Sequence, residues 1–337
     1  MSQGTPFLPR APDGSAPTPR RVVPATFGPL AALVGDGAVT DILVNGTEVW
    51  ADRGAGTVRQ SAIELTPETS WALATRLIGL AGRHVDEATP CMDARIGDGI
   101  RVHVVLPPVA VGGVQLSIRL PSVRPLGMAE LDTLGCFPAG VRARLEGLVA
   151  ERANVLITGG TGTGKTTLLA ALLGLARPRE RIVLIEDVAE ARIVHPHVVS
   201  LETRQANLEG AGAIDLARLV REALRMRPDR IVLGECRGAE IRELLAALNT
   251  GHDGGLGTVH ANSLEDVPAR LEALGALAGL SPTAIARQAV SAIDAVVHLE
   301  RHRVGRRVAA IGALRVGPDG RLTTEPTAEG PTMRLEG

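Results

Sequence analysis

The stretch VLITGGTGTGKTTLLAALLGLA, residues 155–176, constrains the fold more than any other part of the chain. It reads as an apolar strand, a glycine-rich loop satisfying G-x-x-x-x-G-K-[ST], and an apolar helix, the order in which that spacing makes a phosphate cradle. The glycines let backbone N–H groups turn inward, and the helix N-terminus adds its partial positive charge. The candidate nucleotide-binding residues are therefore Gly159, Gly160, Thr161, Gly162, Thr163, Gly164, Lys165, Thr166 and Thr167. Lys165 is placed to reach the terminal phosphates and the Thr166 hydroxyl to meet Mg²⁺. Of 36 basic residues Lys165 is the one lysine, against 35 arginines. The arginine excess reads as GC-rich codon usage. The exception falls where a compact ammonium fits between phosphate oxygens and a planar guanidinium does not.

Three more apolar runs follow: RIVLIE (181–186), RIVLGE (230–235) and GTVHA (257–261). Continuous apolarity marks strands buried on both faces, so the fold class expected here is α/β, a parallel sheet between helices. Ligands bind outside the carboxyl ends of such strands, and each run ends in something chemically useful. The second ends in IEDVAE, setting Glu186, Asp187 and Glu190 beside the phosphate loop, where carboxylates repel one another unless a metal or a proton-accepting role uses them; a solvated acidic turn is the other reading. The third ends in Glu235, the one acid at the correct end, because Asp229 lies about 20 Å down the strand at about 3.3 Å per residue. Cys236 then points to the opposite face, into packing. The fourth carries NTGHDGGLGTVHANS (249–263), in which His252 and His260 are either structural histidines or hydrogen-bonding groups for a γ-phosphate.

Composition removes several classes. The net charge is −1 and there are five aromatic residues, Phe7, Phe27, Trp50, Trp71 and Phe137, which leaves little to attract or stack nucleic acid. Cys91, Cys136 and Cys236 are odd in number and lack C-x-x-C spacing, so neither a disulfide framework nor a zinc site is expected, and a reducing cytoplasm fits. The longest uncharged stretch, 102–118, is broken by Pro107, Pro108, Gly112 and Gly113, so no membrane span or export signal is expected.

The expected organisation has five parts. Residues 1–25 are a disordered proline-rich leader. Residues 26–125 form a smaller α+β domain, with strands at DILVNG, EVWAD, MDARIG, IRVHVVLP and VQLSIRL and a helix opened by Thr66-Pro67 and running to about Arg83. A linker at 126–138 precedes the α/β domain of 139–316, and a loose tail covers 317–337.

Taken together, GGTGTGKTT, IEDVAE, LRMRPDRIVLGECRGAE and NTGHDGGLGTVHANS resemble the secretion ATPases of type II and type IV systems, within them the branch of tight-adherence (Flp) pilus assembly and conjugal transfer. The resemblance covers roughly residues 28 to 316. It implies a PAS-like N-terminal domain and a RecA-like P-loop motor domain that binds ATP and Mg²⁺. It also implies a cytoplasmic homohexamer held peripherally on an inner-membrane platform, hydrolysing ATP to add pilin or move secreted substrate. Carried onto this chain, Glu186 is the water-activating acid, Glu235 the Walker B acid holding Mg²⁺ with Thr166, partly through water, and His260 with His252 the reporters of the γ-phosphate. Arg101 and Arg119, with Arg95 and Arg124 behind them, are the N-terminal-domain arginines that would neutralise transition-state charge, unless they are simply a solvated face. The resemblance lacks the extra N-terminal docking domain and tetracysteine module of many type II enzymes, which favours the tight-adherence or conjugation-type branch. Direct nucleic-acid binding is not expected. The competing functions are a type IV ATPase for conjugal DNA or protein transfer, a RecA-like nucleic-acid motor, and a nucleotide-gated module without turnover.

Overall fold

Alternation of apolar and polar residues in DILVNGTEVWAD produces a tight antiparallel hairpin, β1 (Asp41–Asn45) and β2 (Glu48–Asp52). The computed structural model describes residues 24–54, 56–97, 99–120, 125–204, 212–302 and 305–327, which group into two units, Met1–Val123 and Arg124–Gly337. In the first, a 3-10 segment (Pro24–Leu30) leads to α1 (Ala31–Gly35), then the hairpin and β3 (Thr57–Arg59). The helix α2 (Pro67–Leu80) begins at a reciprocal cap: the Thr69 N–H donates to Thr66 Oγ1 at 3.2 Å and the Thr66 N–H to Thr69 Oγ1 at 2.7 Å. With β4 (Cys91–Ile96), β5 (Ile100–Val105) and β6 (Gln115–Arg119) the strands form an antiparallel sheet of order β3-β2-β1-β6-β5-β4. Its register aligns Ala94, Val102, Ile118 and Ile42 on the face that packs with Leu73 and Leu77 of α2.

The second unit runs α3 (Met128–Thr133), α4 (Val141–Ala150), β7 (Val155–Gly159), α5 (Lys165–Leu173), β8 (Ile182–Glu186), β9 (Val198–Glu202), α6 (Leu216–Leu224), β10 (Arg230–Cys236), α7 (Ile241–Leu248), β11 (Leu256–Val259), α8 (Val267–Leu277), α9 (Pro282–Ala292), β12 (Ala295–His302), β13 (Gly305–Val316) and β14 (Leu322–Pro326). The sheet order is β14-β13-β12-β7-β11-β10-β8-β9. Every pair from β12 to β9 is parallel, while β13 and β14 add antiparallel edge strands. All residues of β7, β8 and β11 are buried, the double-sided burial that their unbroken apolar runs require. Alternate residues serve two cores: Val155, Ile157 and Leu184 pack with Leu131, Leu145 and Leu169 of α3, α4 and α5, whereas Leu156, Val183 and Leu233 pack with Leu219, Leu244, Leu271 and Ile285 of α6 to α9.

Two sequence expectations need correction. The stretch expected as linker contains α3, whose Met128 and Leu131 are buried in the second unit's core. The tail expected to be loose from 317 instead pairs Leu322–Pro326 with β13, because Leu322, 4% exposed, joins the core under α8 and α9. The leader up to residue 23 and the last residues, 328–337, lie outside the described residues. Among the described residues no helix is long and apolar enough to cross a membrane.

At the amino end of the sheet a charged network is taken out of water. Arg230, 1% exposed, donates Nε–H to Glu180, Nη1–H to the Gly254 carbonyl at 3.1 Å and Nη2–H to the Val149 carbonyl at 2.9 Å. Arg152 adds a second contact to Glu180 at 3.1 Å. Burial opposes ionisation of Glu180, but the Arg230 hydrogen bond and charge, with Arg152, outweigh it and hold the carboxyl below its ordinary range. In the unfolded chain a glutamate titrates near ~4.3. The stabilisation is therefore complete above that pH and is lost as pH falls through it toward the folded value. Glu180→Gln leaves Arg230 buried and uncompensated, and is expected to lower the unfolding free energy at pH 7 by about 3–5 kcal/mol. Denaturant melts should show that gap closing below about pH 4; a gap under about 1 kcal/mol at pH 7 would mark the pair as a surface-like contact.

Candidate active site

The carboxyl ends of β7, β8, β10 and β11 share one edge of the parallel sheet, so their termini form a single cluster. Gly159 ends β7 at φ +148°, and a Cβ there would stand 2.5 Å from the Leu299 carbonyl oxygen of β12, so only glycine turns the chain out of the strand. Thr161 and Gly162 lie exposed on the loop, and Thr163 closes it by donating to the Gly160 carbonyl at 2.9 Å. Gly164 caps α5 in a left-handed conformation, and Lys165, Thr166 and Thr167 occupy its first turn.

Lys165 is 7% exposed and its Nζ donates to the Gly159 and Gly160 carbonyls, each at 2.9 Å, while lying 3.5 Å from His260 Nε2. Burial lowers its pKa, and the nearby Glu235 and Glu190 carboxylates only partly reverse this. Glu235 follows the last glycine of β10; its Oε1 is 3.1 Å from His260 Nε2 and its Oε2 accepts from Arg237 at 2.5 Å. Burial opposes its charge, but the Arg237 hydrogen bond and charge, with the Lys165 charge, prevail and hold the carboxyl below the ordinary glutamate range. His260 is pushed the other way, burial first and the Lys165 charge second lowering its pKa, so it is neutral near pH 7.

Glu186 is 4% exposed at the end of β8, with Oε1 accepting the Glu190 and Ala191 N–H groups at 3.1 and 2.9 Å. These bonds convert the acidic box into a holder for one fixed carboxylate. Cys236 is fully buried against α7 and α8, and burial pushes its thiol pKa up, as packing without chemistry requires.

The structure thus brings together Lys165, Glu235 and His260, and sets Glu186 one strand away beside Gly234. It does not bring His252 to them. His252 precedes β11 and contacts the Ala247 carbonyl at 3.2 Å, on the amino side of a strand about 13 Å long at about 3.3 Å per residue, whereas His260 follows that strand. Arg101 and Arg119 lie in the first unit, directly opposite each other on β5 and β6, with Arg95 opposite Arg101 on β4. Arg119 donates to Asp41 at 3.0 Å. Arg124 lies outside the described residues.

Sequence reading overlooked two residues. Arg237 bridges Glu235 and, at 4.0 Å, Asp187, and nothing local announced that a third basic side chain would enter the cluster. Gly234 had a signal, since a glycine inside a strand marks a close approach. A Cβ there would stand 2.6 Å from Glu186 Cγ. Gly234→Ala must therefore push Glu186 aside, and the expected result is turnover lowered by about 10²-fold with nucleotide affinity retained. Unchanged turnover would show that Glu186 need not stay where it is.

A phosphate loop at the end of a parallel sheet, with an acid and a histidine from neighbouring strands beside its lysine, defines a nucleotide-binding motor fold of the RecA-like type. Residues 28–308 match the Type II/IV secretion system protein family, and the chain belongs to it. A Mycobacterium tuberculosis protein named for conjugal transfer is 48% identical over 297 residues, covering 86% of this chain and 84% of its own. The conjugal transfer protein TrbB of Rhizobium radiobacter is 32% identical over 285 residues, covering 83% of this chain and 84% of its own. Among solved structures, the pilus retraction motor PilT with bound ADP superposes with a TM-score of 0.60 at 21% identity, over 89% of this chain and 83% of its own, a likeness of fold.

Proposed function

We propose that the protein is an ATP-hydrolysing motor that powers assembly of a tight-adherence (Flp) type pilus or type II/IV secretion through an inner-membrane platform. The observation that carries the reading is the convergence of three side chains at the mouth of the phosphate loop: His260 Nε2 lies 3.5 Å from Lys165 Nζ and 3.1 Å from Glu235 Oε1. Lys165 is poised to exchange two backbone carbonyls for phosphate oxygens. Glu186, held by two backbone N–H groups, takes the proton from the attacking water. His260, neutral, hydrogen-bonds the terminal phosphate. Mg²⁺ fits the donor set: Glu235 Oε1 is buried and accepts no aligned hydrogen bond among the described residues. That ion needs only one or two protein oxygens beside water and phosphate. The Thr166 hydroxyl and Glu235 would hold it, in part through water. Arg101 and Arg119 are proposed to add positive charge during turnover.

The working form is proposed to be a homohexamer on the cytoplasmic face of the inner membrane, so light scattering with a non-hydrolysable ATP analogue should report six copies; a persistent monomer at high concentration would contradict this. A type IV motor for conjugal DNA or protein transfer is the second reading, favoured by the names of the mycobacterial and rhizobial relatives. A deletion strain separates the two: loss of surface pili with normal plasmid transfer supports the first, the converse the second. Turnover that rises with DNA and collapses with salt would instead favour a nucleic-acid motor.

A further inference from the structure

We propose that Arg306 is a nucleotide-binding residue, supplying a cation on the α-phosphate and nucleoside side of the phosphate loop; this rests on reading residues 159–166 as the ATP site. Strand order separates the two flanks of the loop. Glu235 lies at the carboxyl end of β10 and His260 just after β11, on one flank of β7, and β12 and β13 occupy the other flank. Lys165 leans toward the first flank, its Nζ 3.5 Å from His260. In this proposal a triphosphate whose terminal group meets Lys165, Glu235 and His260 leaves the loop toward β12 and β13.

On that flank β12 pairs with β7 as far as Leu299 opposite Gly159. Beyond that point β12 and β13 continue together past the sheet edge, pairing Glu300 with Arg307, Arg301 with Arg306 and His302 with Gly305, as an arm beside the loop. The arm is anchored at its base, where the Val308 N–H donates to the Cys136 carbonyl at 2.9 Å. Val308 is buried in the same core as Leu168 and Leu172 of α5, so Arg306, two residues along the strand, falls on the α5 face. Its Cδ lies 3.4 Å from where a Cβ on Gly164 would stand, which brings the side-chain stem against the last loop glycine. Arg306 is exposed, and no carboxylate among the described residues pairs with it. An arginine whose stem lies against the last loop glycine, close enough for its charge to act on the Cys136 thiol and with no carboxylate partner among the described residues, can turn its guanidinium to a nucleotide phosphate.

The test is titration of fluorescent ADP and ATP analogues into the full chain and three variants. Arg306→Gln should weaken both nucleotides by the same factor, about tenfold or more, the value of a hydrogen bond to a charged group. Arg306→Lys should recover part of the loss. Arg315→Gln, at the far end of β13 and paired with Glu325, should stay within about twofold. Affinities unchanged in Arg306→Gln, with the unaltered chain binding normally, would overturn this inference alone. A loss confined to ATP would also overturn it, by placing the guanidinium on the terminal phosphate. Failure of the unaltered chain to bind either nucleotide would overturn the ATP-site reading and this inference with it.

Discussion

Replacing Lys165 with alanine is expected to abolish detectable ATP turnover and to weaken nucleotide binding. Lys165 is 7% exposed and its ammonium is held at the loop by the Gly159 and Gly160 carbonyls, so it is already positioned where it can exchange those two acceptors for phosphate oxygens. Removing one preorganised donor from a developing charge costs about 10²–10³-fold in rate, and Lys165 presents three donors from one atom. Arginine should not rescue. The pocket is bounded by backbone carbonyls and His260, and a planar guanidinium on a different stem cannot occupy the position of a compact ammonium. Calorimetry and phosphate release on Lys165→Ala and Lys165→Arg check both statements; near-normal turnover in either would remove the lysine from its assigned place. Failure of arginine at this position would be a sharp demand on a chain in which 35 of 36 basic residues are arginine.

The second large effect is expected at the acids. Glu235→Gln keeps shape and volume but removes the charge that Arg237 and His260 surround, so it should bind ATP and hydrolyse it about 10²–10⁴-fold more slowly. Glu186→Gln should do the same for a different reason, losing the proposed proton acceptor rather than the proposed metal anchor. The two separate by metal dependence: raising Mg²⁺ should restore part of the Glu235→Gln rate and none of the Glu186→Gln rate. If Glu235→Gln turned over normally, the ion would have to be held without it. If extra Mg²⁺ rescued Glu186→Gln instead, the roles of the two carboxylates would be exchanged.

Much of the site was legible in the chain because its grammar is local. Glycines at 159, 160, 162 and 164 fix a loop, Lys165 and Thr166 open a helix, and an acid at the end of an apolar run has one direction to face. Thr66-Pro67 likewise announced α2 by capping chemistry alone. The features that stayed hidden are those in which sequence distance misleads. His252 is eight residues from His260, yet β11 lies between them and places the two at opposite ends of a strand. Arg237 and Gly234 flank Glu235, but their meaning comes from Asp187 and Glu186 on another strand. The turn residues around α3 suggested a connector, and it took the core formed with α4 and α5 to show Met128 and Leu131 as packing residues. β14 escaped for the opposite reason: LTTEP has one buried apolar residue and is held by its pairing with β13 rather than by its own hydrophobicity.

Hydrolysis of ATP at this site is measured by phosphate release from ATP by the purified full chain, with and without Mg²⁺. Turnover should require Mg²⁺ and disappear in Lys165→Ala prepared in parallel. ATP binding without phosphate release, or release that persists unchanged in that variant, would contradict it.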